Sequence, residues 1–128
     1  MPTKATVCKQ YTFDAAHQLP GHKGKCANLH GHTYKLEVYI RGEIQHKSGT
    51  SDDGFVMDFG DIDAVVRPMI ERNLDHKFLN DTLIGPGGVR RTTAELIAQW
   101  IYDTLAEAGL PMYMIRLWET PNAFAEVS

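Results

Sequence analysis

Residues 30–41 constrain the fold of this chain more than any other stretch, because apolar and polar side chains alternate there without a break. A period of two is the pattern of a β-strand with one buried face and one polar face. Residues 5–17 repeat the pattern, with Lys9 as an exception on the apolar side, so we predict a pair of antiparallel strands. The apolar positions are Val7, Tyr11, Phe13 and Ala15, then Tyr34, Leu36, Val38 and Ile40.

Two later segments have the apolar spacing of amphipathic helices, at about 59–73 and 93–108. Asp58 or Asp61 is a suitable N-cap for the first helix, and Pro68 within it predicts a kink or a broken turn. Thr92 and Glu95 fit a capping box for the second helix. The predicted buried stripes are Ile62, Val65, Val66 and Met69, then Leu96, Ile97, Trp100, Ile101 and Leu105.

The order of the predicted elements indicates an α+β domain. Residues 112–119 form a third main strand and residues 123–127 a short fourth one, so strands and helices come in runs. We expect one domain over residues 1–128, with a four-stranded antiparallel sheet and both helices on one of its faces. The other face carries mixed polar side chains.

Composition excludes several classes of protein. The net charge of −3 gives no reason to expect nucleic acid or an anionic membrane as a partner. No apolar run approaches the roughly 18 residues that span a bilayer, and the first ten residues have no apolar core of signal-peptide length. With only two cysteines, the chain is expected to be a cytoplasmic protein with reduced thiols.

Three histidines share the buried parity of the first two strands. His30 and His32 lie two apart at the start of one strand, and His17 ends the other. The connection of residues 18–29 brings these two strand ends together, so three imidazoles converge at one end of the sheet. Three neutral imidazoles form a good zinc site and leave a fourth position open, which is the pattern of a catalytic zinc.

Cys26 lies in this connection and has two possible roles. As a fourth zinc ligand it would close a structural site, and as a free thiol beside the metal it would be a nucleophile or base. The neighbouring His22, Lys23 and Lys25 favour a thiolate, but the spacing alone leaves both roles open. Cys8 is on the polar parity of its strand, and we assign it no role.

Two acidic positions are further candidates. Asp75 directly precedes His76 after the first helix, where it orients the imidazole for proton transfer or only caps the helix end. Glu119 has the apolar parity of its strand, and a carboxylate heading into a core needs partners. A backbone amide or an arginine is the partner that the residues favour, and a planar ligand with two parallel N–H groups is the alternative.

Six motifs occur in one order along nearly the whole chain. Together they resemble the 6-pyruvoyl-tetrahydropterin synthase family, and most of all its bacterial 6-carboxytetrahydropterin branch in the queuosine (7-deazaguanine) pathway. The motifs are FDAAH at 13–17, CANLHGH at 26–32, VMDFGDI at 56–62, LDHKFLN at 74–80, TAELIA at 93–98 and WET at 118–120.

The resemblance implies a role for each matching residue. The zinc ligands of the family correspond to His17, His30 and His32. Cys26 then resembles the catalytic thiol rather than a ligand, and Asp75 with His76 completes a Cys-Asp-His relay. Glu119 matches the carboxylate that anchors the pterin ring, and Thr93 matches a pterin-contacting position.

The resemblance also implies the tunnelling fold, in which sheets of three subunits join into a barrel and two trimers stack into a hexamer. It implies a zinc-dependent lyase that converts 7,8-dihydroneopterin triphosphate into 6-carboxy-5,6,7,8-tetrahydropterin, with release of acetaldehyde and triphosphate. The enzyme that forms 6-pyruvoyltetrahydropterin is the alternative, since it uses the same residues. A non-enzymatic zinc module with Cys26 as fourth ligand is a remote one.

Two positions depart from the family pattern. Ala94 follows Thr93 where some members have a second hydroxyl residue, and Thr92 stands at a position that is often proline. Neither departure affects the zinc ligands or the relay.

Overall fold

The protein folds around one sheet, and the structure, a computed structural model, describes residues 3–128. A single 3-10 turn, Lys25–Ala27, interrupts the connection between the first two strands. The elements in chain order are β1 Lys4–His17, β2 His30–Glu43, α1 Phe59–Asn73, β3 Lys77–Phe78, α2 Leu79–Leu83, α3 Ala94–Glu107, β4 Met112–Thr120 and β5 Ala123–Val127.

The sheet has the strand order β3-β1-β2-β4-β5. The predicted antiparallel pair is confirmed, because β1 and β2 pair along their whole length, from Lys4 opposite Glu43 to His17 opposite His30. The expected sheet of four antiparallel strands was wrong in one respect: β3 adds a fifth strand, parallel to β1 at Ala15 and Ala16. The α+β class is unaffected by this edge strand.

The long helices α1 and α3 cover one face of the sheet, as predicted. The alternating apolar side chains of β2 are fully buried beneath them, and Lys9 approaches Asp63 of α1 at 3.6 Å, which explains a lysine on this face. The helical part of the core consists of Ile62, Val66, Met69 and Ile70 from α1 and Ile97, Ala98, Ile101 and Leu105 from α3.

The ends of the helices agree with the sequence only in part. The Asp58 carboxylate caps α1 by accepting from the Gly60 N–H at 2.7 Å, and α1 runs unbroken through Pro68. The predicted cap of α3 was wrong by one residue, since the Thr93 hydroxyl accepts from the Leu96 N–H at 3.2 Å. Thr92 is instead fully buried.

The segment between α1 and α3 contains β3 and α2, which the sequence did not predict. Both elements are short, with two and five residues, so neither carries a readable period. Within residues 3–128, no helix combines the length and the apolar character needed to span a bilayer.

The second face of the sheet carries the expected mixture of polar side chains. Its centre is Glu37, which is only 5% exposed and accepts from the Gln10 amide at 2.8 Å and the Tyr39 hydroxyl at 3.1 Å. Arg116 lies 3.5 Å from Glu37 and also donates to Glu126. A charged network of this kind leaves the second face polar while the helix-covered face is apolar.

Candidate metal centre

The three histidines meet at the end of the β1–β2 pair. His17 is the direct partner of His30 in the ladder, and His32 lies opposite Ala15, so all three side chains project from the same face. Their ring centroids are 4.5, 5.0 and 5.2 Å apart. One nitrogen of each ring lies within 4.8 Å of the others, so one divalent ion can contact all three.

Main-chain carbonyls fix two of these rings. The Nδ1 of His17 lies 2.7 Å from the Thr92 carbonyl oxygen, and the Nδ1 of His30 lies 2.7 Å from that of Asn28. A carbonyl only accepts, so each Nδ1 carries the proton and each Nε2 keeps its lone pair. Metal-bound histidines use this outer hydrogen bond to hold tautomer and orientation.

The burial of the histidines favours the neutral form that a metal requires. His17 is 1% exposed, and burial lowers its pKa from the ordinary histidine value. Burial also lowers the pKa of His32. The Nε2 of His17 is a buried polar atom without a hydrogen-bond partner among the described residues, and such an atom is costly unless something binds it. The residues present therefore fit a metal ion.

Glu119 borders this centre from β4. One of its carboxylate oxygens lies 3.7 Å from the Nε2 of His17, so the arginine or backbone amide favoured from the sequence was the wrong partner. The carboxylate is 29% exposed and lines a cleft of about 540 Å³ together with His32 and Trp118. A flat molecule in this cleft would contact the carboxylate and the imidazole edge at the same time.

The beginning of α3 lies on the other side of Glu119. Ala94 and Glu95 line a second cleft together with Glu119. Thr93 precedes them, and its hydroxyl oxygen accepts the capping hydrogen bond, so the hydroxyl proton remains available for donation.

Asp75 and His76 form a pair at the end of α1. The Asp75 carboxylate lies 3.0 Å from the Nδ1 of His76 and accepts from the Asp14 N–H at 3.1 Å. These two hydrogen bonds, that from Asp14 first, lower the pKa of Asp75. His76 is held in a left-handed backbone conformation, with φ of 57°, by its N–H bond to the Asp14 carbonyl at 2.6 Å.

An open cleft of about 600 Å³ lies beside this pair. Of the residues expected from the sequence to form the relay and the metal site, His76 and His32 line this cleft. Asp14 and Thr33 form its floor, where the Thr33 hydroxyl donates to the Asp14 carboxylate at 2.5 Å.

Cys26 lies near the metal centre along the chain but is not one of the residues that cluster there. Within residues 3–128, the group of possible metal ligands at this point consists of the three imidazoles. Cys26 is half-buried in the 3-10 turn, and its carbonyl accepts from the Leu19 N–H at 2.7 Å. In the described chain its thiol is therefore not grouped with the three imidazoles.

Several supporting residues could not be assigned from the sequence. The carbonyls of Thr92 and Asn28 hold two imidazoles, but a main-chain acceptor leaves no signal in residue type. Tyr34 lies beneath the cluster, 5.4 Å from the ring of His32, and its buried hydroxyl has no hydrogen-bond partner in the described chain. Burial and then the charge of Glu119 raise the pKa of Tyr34, so its phenol stays protonated.

The fold and the site together define a class of protein: a small α+β domain with a three-histidine cluster that can hold a metal ion at the end of an antiparallel strand pair. A family model described as 6-pyruvoyl tetrahydropterin synthase matches residues 6–128. The chain belongs to this family, as the motifs predict.

Relatives and solved structures agree with this membership. A Synechocystis protein named 6-carboxy-5,6,7,8-tetrahydropterin synthase is 42% identical over 120 residues, which is 93% of this chain and 89% of that protein. A Haemophilus influenzae protein of the same name is 42% identical over 137 aligned positions, covering 94% and 96% of the two chains.

The 6-pyruvoyl tetrahydropterin synthase of Caenorhabditis elegans has a similar structure. The TM-score is 0.83 at 26% identity, over 100% of this chain and 96% of that one. The Plasmodium vivax enzyme shares the fold, with a TM-score of 0.72 at 22% identity over 98% of each chain. The tunnelling fold expected from the sequence is confirmed at the level of the single chain.

Proposed function

We propose that this protein is a zinc-dependent carbon–carbon lyase of the 6-carboxytetrahydropterin synthase type. Its substrates are 7,8-dihydroneopterin triphosphate and water, and its products are 6-carboxy-5,6,7,8-tetrahydropterin, acetaldehyde and triphosphate, on the route to queuosine and other 7-deazapurines. The observation that carries the proposal is the group of three imidazoles, each offering one nitrogen to a common point, with Glu119 beside it. The relatives named 6-carboxy-5,6,7,8-tetrahydropterin synthase support this product.

His17, His30 and His32 hold the zinc ion in this proposal. Three protein ligands leave a coordination position for the substrate. Zinc bound there supplies a Lewis acid that acidifies the carbinol protons of the substrate side chain.

Glu119 and Thr93 bind the pterin ring. A carboxylate accepts two parallel N–H groups, and the amino-pyrimidinone edge of a pterin presents such a pair. Glu119 is exposed to the cleft that it shares with His32, so a ring held there has its side chain close to the histidines. The Thr93 hydroxyl has a free proton for a ring acceptor at the adjoining edge.

Cys26 and His76 move the protons. Cys26 removes a proton from the substrate side chain as a thiolate or returns one as a thiol, and His76 is the partner acid or base. Asp75 is fixed by the Asp14 N–H and holds the Nδ1 of His76, so the opposite nitrogen of His76 is the one that exchanges protons.

The protein is proposed to act as a homo-oligomer, a dimer of trimers. Both outer edges of the described sheet leave main-chain groups open, since β3 covers only Ala15 and Ala16 of β1 and β5 is paired on one side only. Pairing of these edges between subunits would remove them and enclose the polar face that contains Glu37. Native mass spectrometry at neutral pH measures the subunit number directly.

A product assay tests the proposed function. Zinc-loaded protein is incubated with 7,8-dihydroneopterin triphosphate, aldehydes are trapped, and the pterin is identified by mass spectrometry. The proposal expects acetaldehyde and 6-carboxytetrahydropterin in equal amounts. A 6-pyruvoyl product without acetaldehyde would establish the second candidate, which the likeness to the Caenorhabditis elegans enzyme favours.

Cysteine variants separate the enzyme from a structural zinc module. Cys26→Ala is expected to lower turnover by about 10²- to 10⁴-fold while the bound zinc remains, because a positioned acid or base contributes that much. Cys8→Ala is the matched control, since Cys8 is the other free cysteine and lies on β1 away from the histidines. Loss of zinc from Cys26→Ala would favour the structural module.

A further inference from the structure

The side chain of Asn80 pairs with the main chain immediately after a proposed zinc ligand. Strand β1 ends at His17, and the next residue is Gln18. The Gln18 N–H donates to the Asn80 carbonyl oxygen Oδ1 at 3.0 Å, and the Asn80 Nδ2 donates to the Gln18 carbonyl at 2.9 Å. One amide therefore continues the β1 ladder beyond the point where β3 stops.

The same Asn80 side chain also reaches the residue that holds the His17 ring. The Thr92 hydroxyl lies 3.1 Å from Asn80 Oδ1, and the Thr92 carbonyl lies 2.7 Å from the Nδ1 of His17. Thr92 is 0% exposed, so water does not replace these contacts. Asn80 thus contacts both of the residues that determine where the His17 ring lies.

Only a side-chain amide satisfies both groups of Gln18. The contact requires an acceptor for the Gln18 N–H and a donor for the Gln18 carbonyl, and a carboxylate of the same shape supplies only acceptors. Aspartate at position 80 would place an oxygen against the Gln18 carbonyl oxygen. Two acceptors that face each other without a proton between them would destabilise the main chain next to His17.

We propose that Asn80 is a positioning residue of the metal centre, which acts through Gln18 and Thr92 to hold the His17 Nε2 toward the metal. The inference rests on the three-histidine zinc site of the proposed function. Outer groups of this kind typically change metal affinity by 10–100-fold when they are removed.

Metal affinity of purified variants tests the proposal without any turnover measurement. Zinc dissociation constants are measured by competition with a chromophoric chelator for the wild type, Asn80→Asp, Thr92→Val and Thr92→Ser. The absorption bands of the cobalt-substituted proteins report the ligand geometry. Asn73→Asp is the control, since the Asn73 amide also donates to a main-chain carbonyl, that of Met69 at 3.1 Å, but at the end of α1.

The proposal expects Asn80→Asp to raise the zinc dissociation constant by about 10–100-fold and to change the cobalt bands. Thr92→Val lacks the hydroxyl donor and is expected to raise the zinc dissociation constant and to change the cobalt bands as well. Thr92→Ser keeps the hydroxyl and is expected to give near wild-type values. Asn73→Asp is expected to stay within about twofold, even where its thermal stability falls as far as that of Asn80→Asp.

Zinc affinities within twofold of wild type for folded Asn80→Asp and Thr92→Val would overturn the proposal. If Asn80→Asp does not fold, the comparison of Thr92→Val with Thr92→Ser decides it. A wild type that binds no zinc would overturn the metal centre itself, whereas a zinc-binding wild type without turnover would contradict only the proposed reaction.

Discussion

The middle and the end of the β1–β2 pair have the same geometry and opposite chemistry. On one face the middle presents Phe13, Leu36 and Val38, all nearly or fully buried beneath the helices. Further along the same face, the end presents His17 and His30 as a direct ladder pair. The backbone pattern that forms the core therefore also brings the imidazoles together.

The difference between these regions lies in what covers them. Helices α1 and α3 supply apolar side chains to the middle, while loops supply main-chain carbonyls to the end, at Thr92 and Asn28. The apolar side chains of the helices only have to fill the space above the sheet. Each carbonyl, in contrast, accepts a hydrogen bond from one particular imidazole nitrogen. The middle is thus expected to determine stability and the end to determine binding and turnover.

Replacing a histidine at the end has the largest expected effect. His32→Ala is expected to reduce zinc affinity by more than about a hundredfold and turnover to background, since removal of a ligand exceeds the loss of an outer group. The unfolding free energy of the metal-free protein changes by less than about 1 kcal/mol. Zinc titration and urea unfolding of the apoprotein measure the two quantities, and wild-type affinity would contradict the site.

Replacing a leucine in the middle should give the converse result. Leu36 is 0% exposed, so Leu36→Ala is expected to lower the unfolding free energy by about 2–5 kcal/mol. Zinc affinity of the folded protein stays near that of the wild type. Thr12→Ala, on the exposed face of β1, is the control for urea unfolding, and an equal loss in both variants would argue against the assignment of the core.

Glu119 lies beside the histidine end but is not a proposed metal ligand, so its replacement separates substrate binding from metal binding. Glu119→Gln keeps the shape and removes the charge, so kcat/KM for the pterin substrate is expected to fall about 10- to 100-fold, as for a lost charged hydrogen bond. Bound zinc is unchanged. Glu107→Gln, at the far end of α3, is the control in steady-state kinetics. Loss of zinc in Glu119→Gln would show that the carboxylate is a ligand.

The smallest expected effect is the pH dependence of the apoprotein. Burial lowers the pKa of His17 and His32 in the folded state. As the pH falls, the unfolded chain therefore binds protons at these two rings while the folded protein still keeps them neutral. Stability is therefore highest above the ordinary histidine pKa of about 6.5 and falls as the pH drops below it. Urea unfolding at pH 5.5 and 7.5 measures the slope, and His17→Asn should flatten it. Greater stability at pH 5.5 would contradict the assignment.

The sequence predicts the region of alternating side chains well. Strand parity identified the buried positions of β1 and β2 and the convergence of the histidines, because a period of two fixes the face of each side chain. It could not predict β3 and α2, whose two and five residues are held by contacts with β1 rather than by their own periodicity.

The main-chain carbonyls that hold the histidine rings could not be predicted from the sequence either. The Thr92 carbonyl reaches His17 across 75 positions of the chain, and no residue type encodes a main-chain acceptor. The capping-box pattern predicts Thr92 as the cap of α3, but Thr92 is buried and its hydroxyl and carbonyl bind Asn80 and His17 instead. Asn80 has no signal apart from its place in the LDHKFLN motif.

The zinc ligand set is the most direct test of this account, since the three imidazoles must bind the metal and Cys26 must not. X-ray absorption spectroscopy of the zinc-loaded protein distinguishes nitrogen or oxygen ligands at about 2.0–2.1 Å from sulfur at about 2.3 Å. The account predicts a first shell of nitrogen and oxygen only, unchanged in Cys26→Ala. A sulfur ligand that disappears in Cys26→Ala would contradict it and establish a closed structural site.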